Sequence, residues 1–423
     1  MFKIGFAICV FMIILMLIIT EKINRTVAAI TGAILMVLFK IITPHEAIGA
    51  IDFNTIGVLI GMMIIVAIIK DTGVFEYLAI YSAKKVKGDP WKIIIVFSTI
   101  TAITSALLDN VTTVLLIVPM TLIITDTLKL DPIPFLIPEI IASNIGGTST
   151  LIGDPPNIMI GSAANLGFLD FVVHLLPVII IIYFITFSVF KILYKNKLVV
   201  DASLMKRISE FDEKKSITDY PLLRKCYWVM AFILVGFFFH EELGYASSVV
   251  ALTGATILLL LSKTNVEEVF KSVEWPTIFF FSGLFVMVGS LEKVGVIHFV
   301  ANSILDFTEG HIIVTGVAIL WGSAIISSFL DNIPFVATLI PLISAIGASG
   351  HTDITPLWWA ISLGACLGGN GTLLGASANV VVAGIAERHG QPISFMRYMK
   401  IGFPMMIISI VVSTIYLIVF YLM

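Results

Sequence analysis

The stretch SALLDNVTTVLLIVP, residues 105–119, places an aspartate and an asparagine between two apolar arms. It recurs as SSFLDNIPFVATLIP at 327–341. A charge at membrane depth costs about 2.5–3.5 kcal/mol even on lenient insertion scales. A two-residue turn with no polar loop is poor material for a water-exposed connection. It suits a re-entrant helical hairpin, with tips at 109–110 and 331–332. Asp and Asn cap the arm that follows, and Pro334 falls near the first helical turn, where proline is tolerated. The competing reading is that Asp109 and Asp331 only cap helices. Two related sites at membrane depth favour function, because intramembrane ionisable residues are functional by default.

The surroundings of the two tips support membrane depth. The chain has 423 residues, 58% hydrophobic and 13% charged. Soluble domains are about 45–50% apolar with about a quarter of residues charged. Apolar runs at 4–20, 26–39, 53–69, 171–190, 226–239, 276–291 and 401–423 approach the roughly 20 residues a helix needs to cross a bilayer. The expected class is an all-α polytopic membrane protein. The run 4–20 has no small-residue cleavage site and reads as a retained helix. Cys9, Cys226 and Cys366 show no metal or disulfide spacing. No segment resembles a soluble catalytic or nucleic-acid-binding domain, so neither an enzyme nor a nucleic-acid partner is expected. No cofactor is expected beyond a coupling Na+ or H+.

A shift of 222 positions, which carries Asp109 onto Asp331, overlays the chain on itself without a gap from about 27 to 157. Thr31-Gly32-Ala33 meets Thr253-Gly254-Ala255, Gly61 meets Gly283, Pro119 meets Pro341, Gly146-Gly147 meets Gly368-Gly369, and Asn157 meets Asn379. Shared hydrophobicity does not keep Gly, Pro, Asp and Asn in register this long. The expected organisation is a first repeat over 1–194, a cytoplasmic linker over 195–225 and a second repeat over 226–423. Each repeat holds a hairpin and a broken membrane helix, 132–165 and 355–386. An odd number of crossings per repeat forces the second to be inverted. All of the 25 basic residues except Lys3, Lys40 and Lys293 then fall on one side, which the positive-inside rule makes cytoplasmic. Both termini face outward, with ten crossings and two hairpins. Inverted repeats mark secondary transporters.

The broken helices read NIGGTSTLIGDPPN at 144–157 and CLGGNGTLLGASAN at 366–379. Non-helical backbone at membrane depth is tolerated only where it is buried in protein or lines a wet cavity. Such breaks offer carbonyls to Na+ and helix N-termini to anions. The candidate substrate- and ion-binding residues are therefore Asp109, Asn110 and Thr112 at the first tip and Asp331 and Asn332 at the second. From the first break come Asn144, Gly146, Gly147, Thr148, Ser149, Thr150, Gly153, Asp154 and Asn157. From the second come Gly368, Gly369, Asn370, Gly371, Thr372, Ser377 and Asn379. Asp154-Pro155-Pro156 becomes Ala376-Ser377-Ala378 in the second repeat. No Lys or Arg lies within the motifs, so Asp109, Asp154 and Asp331 read as three carboxylates without a fixed counter-charge. Such carboxylates attract Na+ or take up protons. Glu139 reads chiefly as a cytoplasm-facing helix residue, His174 as a hydrogen-bonded or interfacial histidine, and 72–87 as an interfacial amphipathic helix.

ALLDNVTTVLL (106–116), NIGGTSTLIGDPPNIMI (144–160), SSFLDNIPFVATLIP and LGACLGGNGTLLGASANVVVAG (363–384) together resemble the ion-transporter superfamily. Within it they are most similar to the arsenite-permease, sodium–proton-antiporter and melanosomal P protein clade, with its citrate-transporter-like domain. The resemblance covers 24–404. It implies a homodimer with scaffold and transport domains, the hairpins and broken helices moving together by an elevator mechanism. It also implies that the tips and breaks frame the substrate and coupling-ion sites. Related dicarboxylate carriers have Ser-Asn-Thr at the tips where this chain has Asp-Asn, which argues against a di- or tricarboxylate.

The expected function is a secondary-active transporter of the inner or plasma membrane. It moves a small inorganic anion or metalloid with Na+ or H+ coupling. The alternative is Na+/H+ antiport, which the unpaired carboxylates favour. A passive channel fits the broken helices less well than alternating access does. An intramembrane aspartyl protease would want Gly-x-Gly-Asp where Leu151-Ile152-Gly153-Asp154 stands.

Overall fold

A computed structural model describes residues 2–20, 23–194, 198–308, 311–348 and 353–422. Residues 195–197 of the expected linker lie outside this set. Among the described residues all regular structure is helical.

Sixteen main helices fall into two matching sets of eight. The first is α1 (Phe2–Thr20), α2 (Arg25–Leu38), α3 (Phe53–Lys70), α4 (Pro90–Leu107), α5 (Asn110–Leu128), α6 (Ile133–Thr148), α7 (Pro155–Ala164) and α8 (Phe168–Tyr194). The second is α9 (Tyr220–Phe239), α10 (Ser247–Ser262), α11 (Trp275–Lys293), α12 (Ile312–Phe329), α13 (Asn332–Ala348), α14 (Thr355–Gly368), α15 (Ser377–Arg388) and α16 (Phe395–Leu417). A π-helical turn, Ile418–Leu422, continues α16. The segment 72–87 forms the short helix Val74–Lys85, mirrored by Val296–Phe307.

Local sequence sets these bounds. Asn24 accepts from the Thr26 and Val27 amides to start α2, and Asp52 accepts from Asn54 and Thr55 to start α3. Asp89 followed by Pro90 starts α4. Pro119, Pro138, Pro177, Pro341 and Pro404 sit inside helices, which packed neighbours tolerate at membrane depth.

Eight described helices are long and apolar enough to cross a membrane: α3, α4, α5, α8, α9, α11, α12 and α16 with its π turn. The expected crossings α2 and α10 have 14 and 16 residues. At 1.5 Å per residue they span about 21 and 24 Å, less than the roughly 30 Å hydrocarbon core. Their close partners explain the economy. Gly61 on α3 lies against the backbone of Ala251 on α10, and Gly283 on α11 against that of Ala29 on α2. A Cβ at either glycine would come within 2.7 Å of a backbone carbon. α2 thus packs on α11 and α3 on α10, each helix taking its partner from the other repeat.

The breaks make the same exchange. α7 packs on hairpin arm α13, and α15 packs on hairpin arm α5. α4 with α6, and α12 with α14, form the tightest pairs within each repeat. The core sits at α6 and α14. All of α6 is buried, and all of α14 except its first residue. The crossed pairs α2–α11 and α3–α10 also meet break α7 and hairpin arm α13. α8 and α16 pack on α6 and α14 respectively.

Candidate functional site

Each hairpin turns in two residues. Asp109 accepts the Thr112 amide at 2.8 Å, and its second oxygen takes the Thr112 hydroxyl. Asp331 accepts the Ile333 amide at 3.1 Å. Both tip aspartates therefore cap the arm that follows. At Asp109 local partners engage both oxygens.

Behind each tip the break is held by an asparagine. The Asn157 amide donates to the Thr148 and Thr150 carbonyls at 3.1 and 2.9 Å. The Asn379 amide donates to the Gly369 and Thr372 carbonyls at 2.7 and 2.9 Å. Their oxygens accept across the repeat boundary. Asn157 Oδ1 accepts from Ser362 Oγ at 2.6 Å and from Cys366 Sγ at 3.6 Å. Asn379 Oδ1 accepts from Asn144 Nδ2 at 3.0 Å. Asn144 and Cys366 are symmetry mates, so both positions serve the opposite break. Asn144 also donates to Asn370 Oδ1 at 2.9 Å and accepts from Asn110 Nδ2 at 3.2 Å.

The remaining hydroxyls and glycines close the breaks. Thr148 donates to the Asn144 carbonyl, Ser149 to Gly146, Thr150 to Ala106 and Thr372 to Ser328. The last two are equivalent bonds tying each break to its own hairpin. A Cβ on Gly153 would meet the Gly147 carbonyl at 2.6 Å, and one on Gly375 the Gly369 carbonyl at 2.7 Å. A Cβ on Gly146 would strike the Ala102 backbone, and one on Gly368 the Ala324 carbonyl at 2.7 Å. Gly371 lies against Ser328.

These contacts leave a small central cavity of about 40 Å³. Of the sequence candidates, Asp109, Asn110, Asp154, Asn332 and Ser377 line it, joined by Arg25 and Glu274. Asp154 precedes α7 but makes no capping bond. Its carboxylate, 1% exposed, accepts from Asn332 Nδ2 at 3.3 Å on both oxygens. It is the one of the three aspartates not spent on a helix start. Asp331 lines a larger neighbouring cavity of about 300 Å³. Thr112 lines a third, with Glu274, Lys70 and Asp71. Among the described residues no three His, Cys, Asp or Glu side chains gather closely enough to hold a metal ion. A bound Na+ would need carbonyl, amide or hydroxyl oxygens to complete its shell.

Two expectations are corrected. Asp331 has a fixed counter-charge: Arg25 Nη1 lies 3.1 Å from its Oδ2 and donates to Ser377 Oγ at 2.6 Å. Sequence spacing hid this pair, because Arg25 precedes Asp331 by 306 positions and stands outside the motifs. Glu139 does not face the cytoplasm. It is 1% exposed because α6 is buried throughout, and Thr121 Oγ1 donates to its Oε1 at 2.6 Å. Its Oε2 has no partner among the described residues. Glu274 was missed too; the 222-residue shift carries Asp52 onto it, an acid-for-acid match that could have marked it. His174 is hydrogen-bonded, its Nδ1 2.6 Å from the Tyr421 hydroxyl and its ring stacked on Trp359.

The match that decides the family runs over residues 15–364 and is to the citrate transporter family, CitMHS. The chain belongs to that family. It is 43% identical to a 46 kDa membrane protein of Mycobacterium leprae and 44% identical to an uncharacterized transporter of Mycobacterium tuberculosis, covering 97% of both chains in each case. It is 35% identical to the P protein of Homo sapiens over 95% of this chain, and spans 58% of that longer protein. The crystal structure of the Alcanivorax borkumensis YdaH transporter, described as having an unusual topology, superposes with a TM-score of 0.58. It is 14% identical and covers 88% of this chain and 86% of that one. The protein is a multi-pass membrane transporter with the fold of that structure.

Proposed function

We propose that the protein is a secondary-active transporter whose central cavity takes a small coupling cation, Na+ or H+. The carrying observation is the lining of that cavity. Asp109, Asp154 and Glu274 surround it, with Arg25 as the one basic side chain among its lining residues. A buried carboxylate gains from a bound cation or from a proton. Sites for drug-sized ligands measure roughly 300–1,000 Å³. A cavity of about 40 Å³ suits a partly dehydrated monovalent ion and is far too small for citrate. The transported partner in this reading is a small inorganic anion or metalloid.

A second reading is plain Na+/H+ antiport. Asp154 favours it: a carboxylate not used as a helix cap, open to either a proton or Na+. The experiment is internal pH in proteoliposomes after an external Na+ pulse, with only buffer anions present. A saturable pH change, lost in Asp154→Ala, establishes antiport. Without a response, flux of arsenite and other oxyanions under a Na+ or H+ gradient tests the first reading.

In this reading the hairpins and breaks move together, elevator-fashion, past the crossed pairs α2–α11 and α3–α10. The charge bias supports outward-facing termini, a cytoplasmic linker and repeats of opposite orientation. The exposed apolar faces of α9, where Tyr227, Trp228 and Phe232 point outward, are offered to lipid or to a second copy in a homodimer.

A further inference from the structure

Two cavities meet at one side-chain bridge. The central cavity is bounded by Asn332 and Asp154, and the larger one by Asp331, Phe329 and Val380. Only Arg25 and Ser377 line both. They touch each other at 2.6 Å, and Ser377 Oγ donates to Asp331 Oδ2 at 2.7 Å. Arg25, Ser377 and Asp331 thus form the partition between the two spaces. Arg25 is anchored from behind by the Phe280 ring, 5.3 Å from its guanidinium carbon.

The bridge joins elements that otherwise pack elsewhere. α2 packs on α1 and α11, whereas Asp331 and Ser377 belong to a hairpin and a break. The bridge also has no counterpart in the first repeat. The symmetry mate of Arg25 is Ser247, which donates to Asn54 and touches no aspartate. The two equivalent sites therefore differ: Asp331 has a guanidinium beside it where Asp109 has only the Thr112 amide and hydroxyl as hydrogen-bond donors among the described residues.

We infer that Arg25 is an internal stand-in for the coupling cation at Asp331, and that its displacement from Asp331 opens the passage between the two cavities. The inference rests on the proposed cation coupling and adds the residue that gates it. A guanidinium and a small cation compete for one carboxylate, since two cations beside one anion repel each other. The charged groups that face this carboxylate region are Arg25 from α2, Asp109 and Asp154 from the first repeat, and Glu274 ahead of α11.

The test is access, measured without transport. Ala376→Cys reports the central cavity, where Ala376 is 2% exposed. Val380→Cys reports the larger cavity alone. Both are reacted with neutral N-ethylmaleimide in proteoliposomes and quantified peptide by peptide, which separates them from the native cysteines. Arg25→Gln is expected to raise the Ala376→Cys rate about two- to fivefold, the scale of a partly exposed ion pair, with Val380→Cys unchanged. Asp331→Asn breaks the same bridge from the other side and is expected to match it. Added Na+ raises the rate when Arg25 is present and not when it is Gln.

An unchanged Ala376→Cys rate in either folded variant overturns the gate, and so does an equal rise at Val380→Cys. Insensitivity of the Arg25 protein to Na+ overturns the stand-in role. If labelling obeys Arg25 while no flux answers Na+ or pH, the gate stands and the transport reading falls. If flux is cation-coupled while labelling ignores Arg25, the gate alone falls.

Discussion

Asn157 is the residue whose loss should unfasten the first break. Its side chain is wholly buried, as are Thr148 and Ser362, and Thr150 is nearly so. Asn157→Ala strips one hydrogen bond from each of two carbonyls and leaves the Ser362 hydroxyl without its acceptor. A buried group left unpaired costs about 1–3 kcal/mol. The carbonyls keep a second lone pair, and local relaxation recovers part of the loss. The expected cost is then about 3–5 kcal/mol, a large share of the roughly 5–15 kcal/mol that holds a protein folded. Ser362→Ala removes one donor and leaves Cys366 at 3.6 Å as a weak replacement; about 1 kcal/mol is expected. The assay is the temperature at which the monodisperse peak is lost on size exclusion after heating in detergent. Asn157→Ala should lower that midpoint by at least about 5 °C and Ser362→Ala by much less. Asn379→Ala should resemble Asn157→Ala, because Asn379 holds the Gly369 and Thr372 carbonyls the same way. Midpoints within about 2 °C of the parent for both asparagine variants would refute the claim that these amides hold the breaks.

Three further outcomes are expected. Asp154→Asn keeps the volume and a hydrogen-bonding partner for Asn332 but removes the charge; it should retain the folded peak and lose cation-dependent flux, both measured on one preparation. Gly146→Ala should fail to give a folded peak, because its Cβ meets the Ala102 backbone rather than a side chain that can turn away, whereas Gly384→Ala, with open space around it, should behave as the parent. Glu46, between α2 and α3, is held down to about 2 from 4.5, first by its hydrogen bond from Lys293 and then by the Thr43 amide and hydroxyl. A depressed carboxyl stabilises fully above its unfolded value and loses that contribution as pH falls from about 4.5 toward 2. Glu46→Gln should therefore lower the midpoint modestly at neutral pH, where the contribution is fully present, and converge with the parent as pH falls through that window, as read by the same heating assay.

The hairpins were legible because period, polarity and duplication agreed at Asp109 and Asp331. The breaks were legible because Gly-Gly and Asp-Pro-Pro cannot continue a lipid-facing helix, and their neighbours fell where the 222-residue shift required. What the sequence withheld was partnership. Asn157 and Asn379 were marked as ligand candidates by residue type, yet geometry alone shows their amides committed to their own break and their oxygens to the opposite repeat. Arg25 carried no mark, since nothing in a short loop after an apolar helix says which hairpin it will meet. Glu139 misled because a glutamate near the start of a membrane helix normally reaches for water, and here every side of that helix is covered.

The crossed asparagine pairing also imposes an order of events during synthesis. Asn157 emerges from the ribosome 205 residues before the Ser362 hydroxyl it will bind. At about 5–20 residues per second, that is roughly 10–40 s with one end of its amide unanswered. Through that interval the first break has its own two carbonyl bonds but not its cross-repeat clasp, so the nascent first repeat waits in the bilayer as a half-fastened unit until the second arrives.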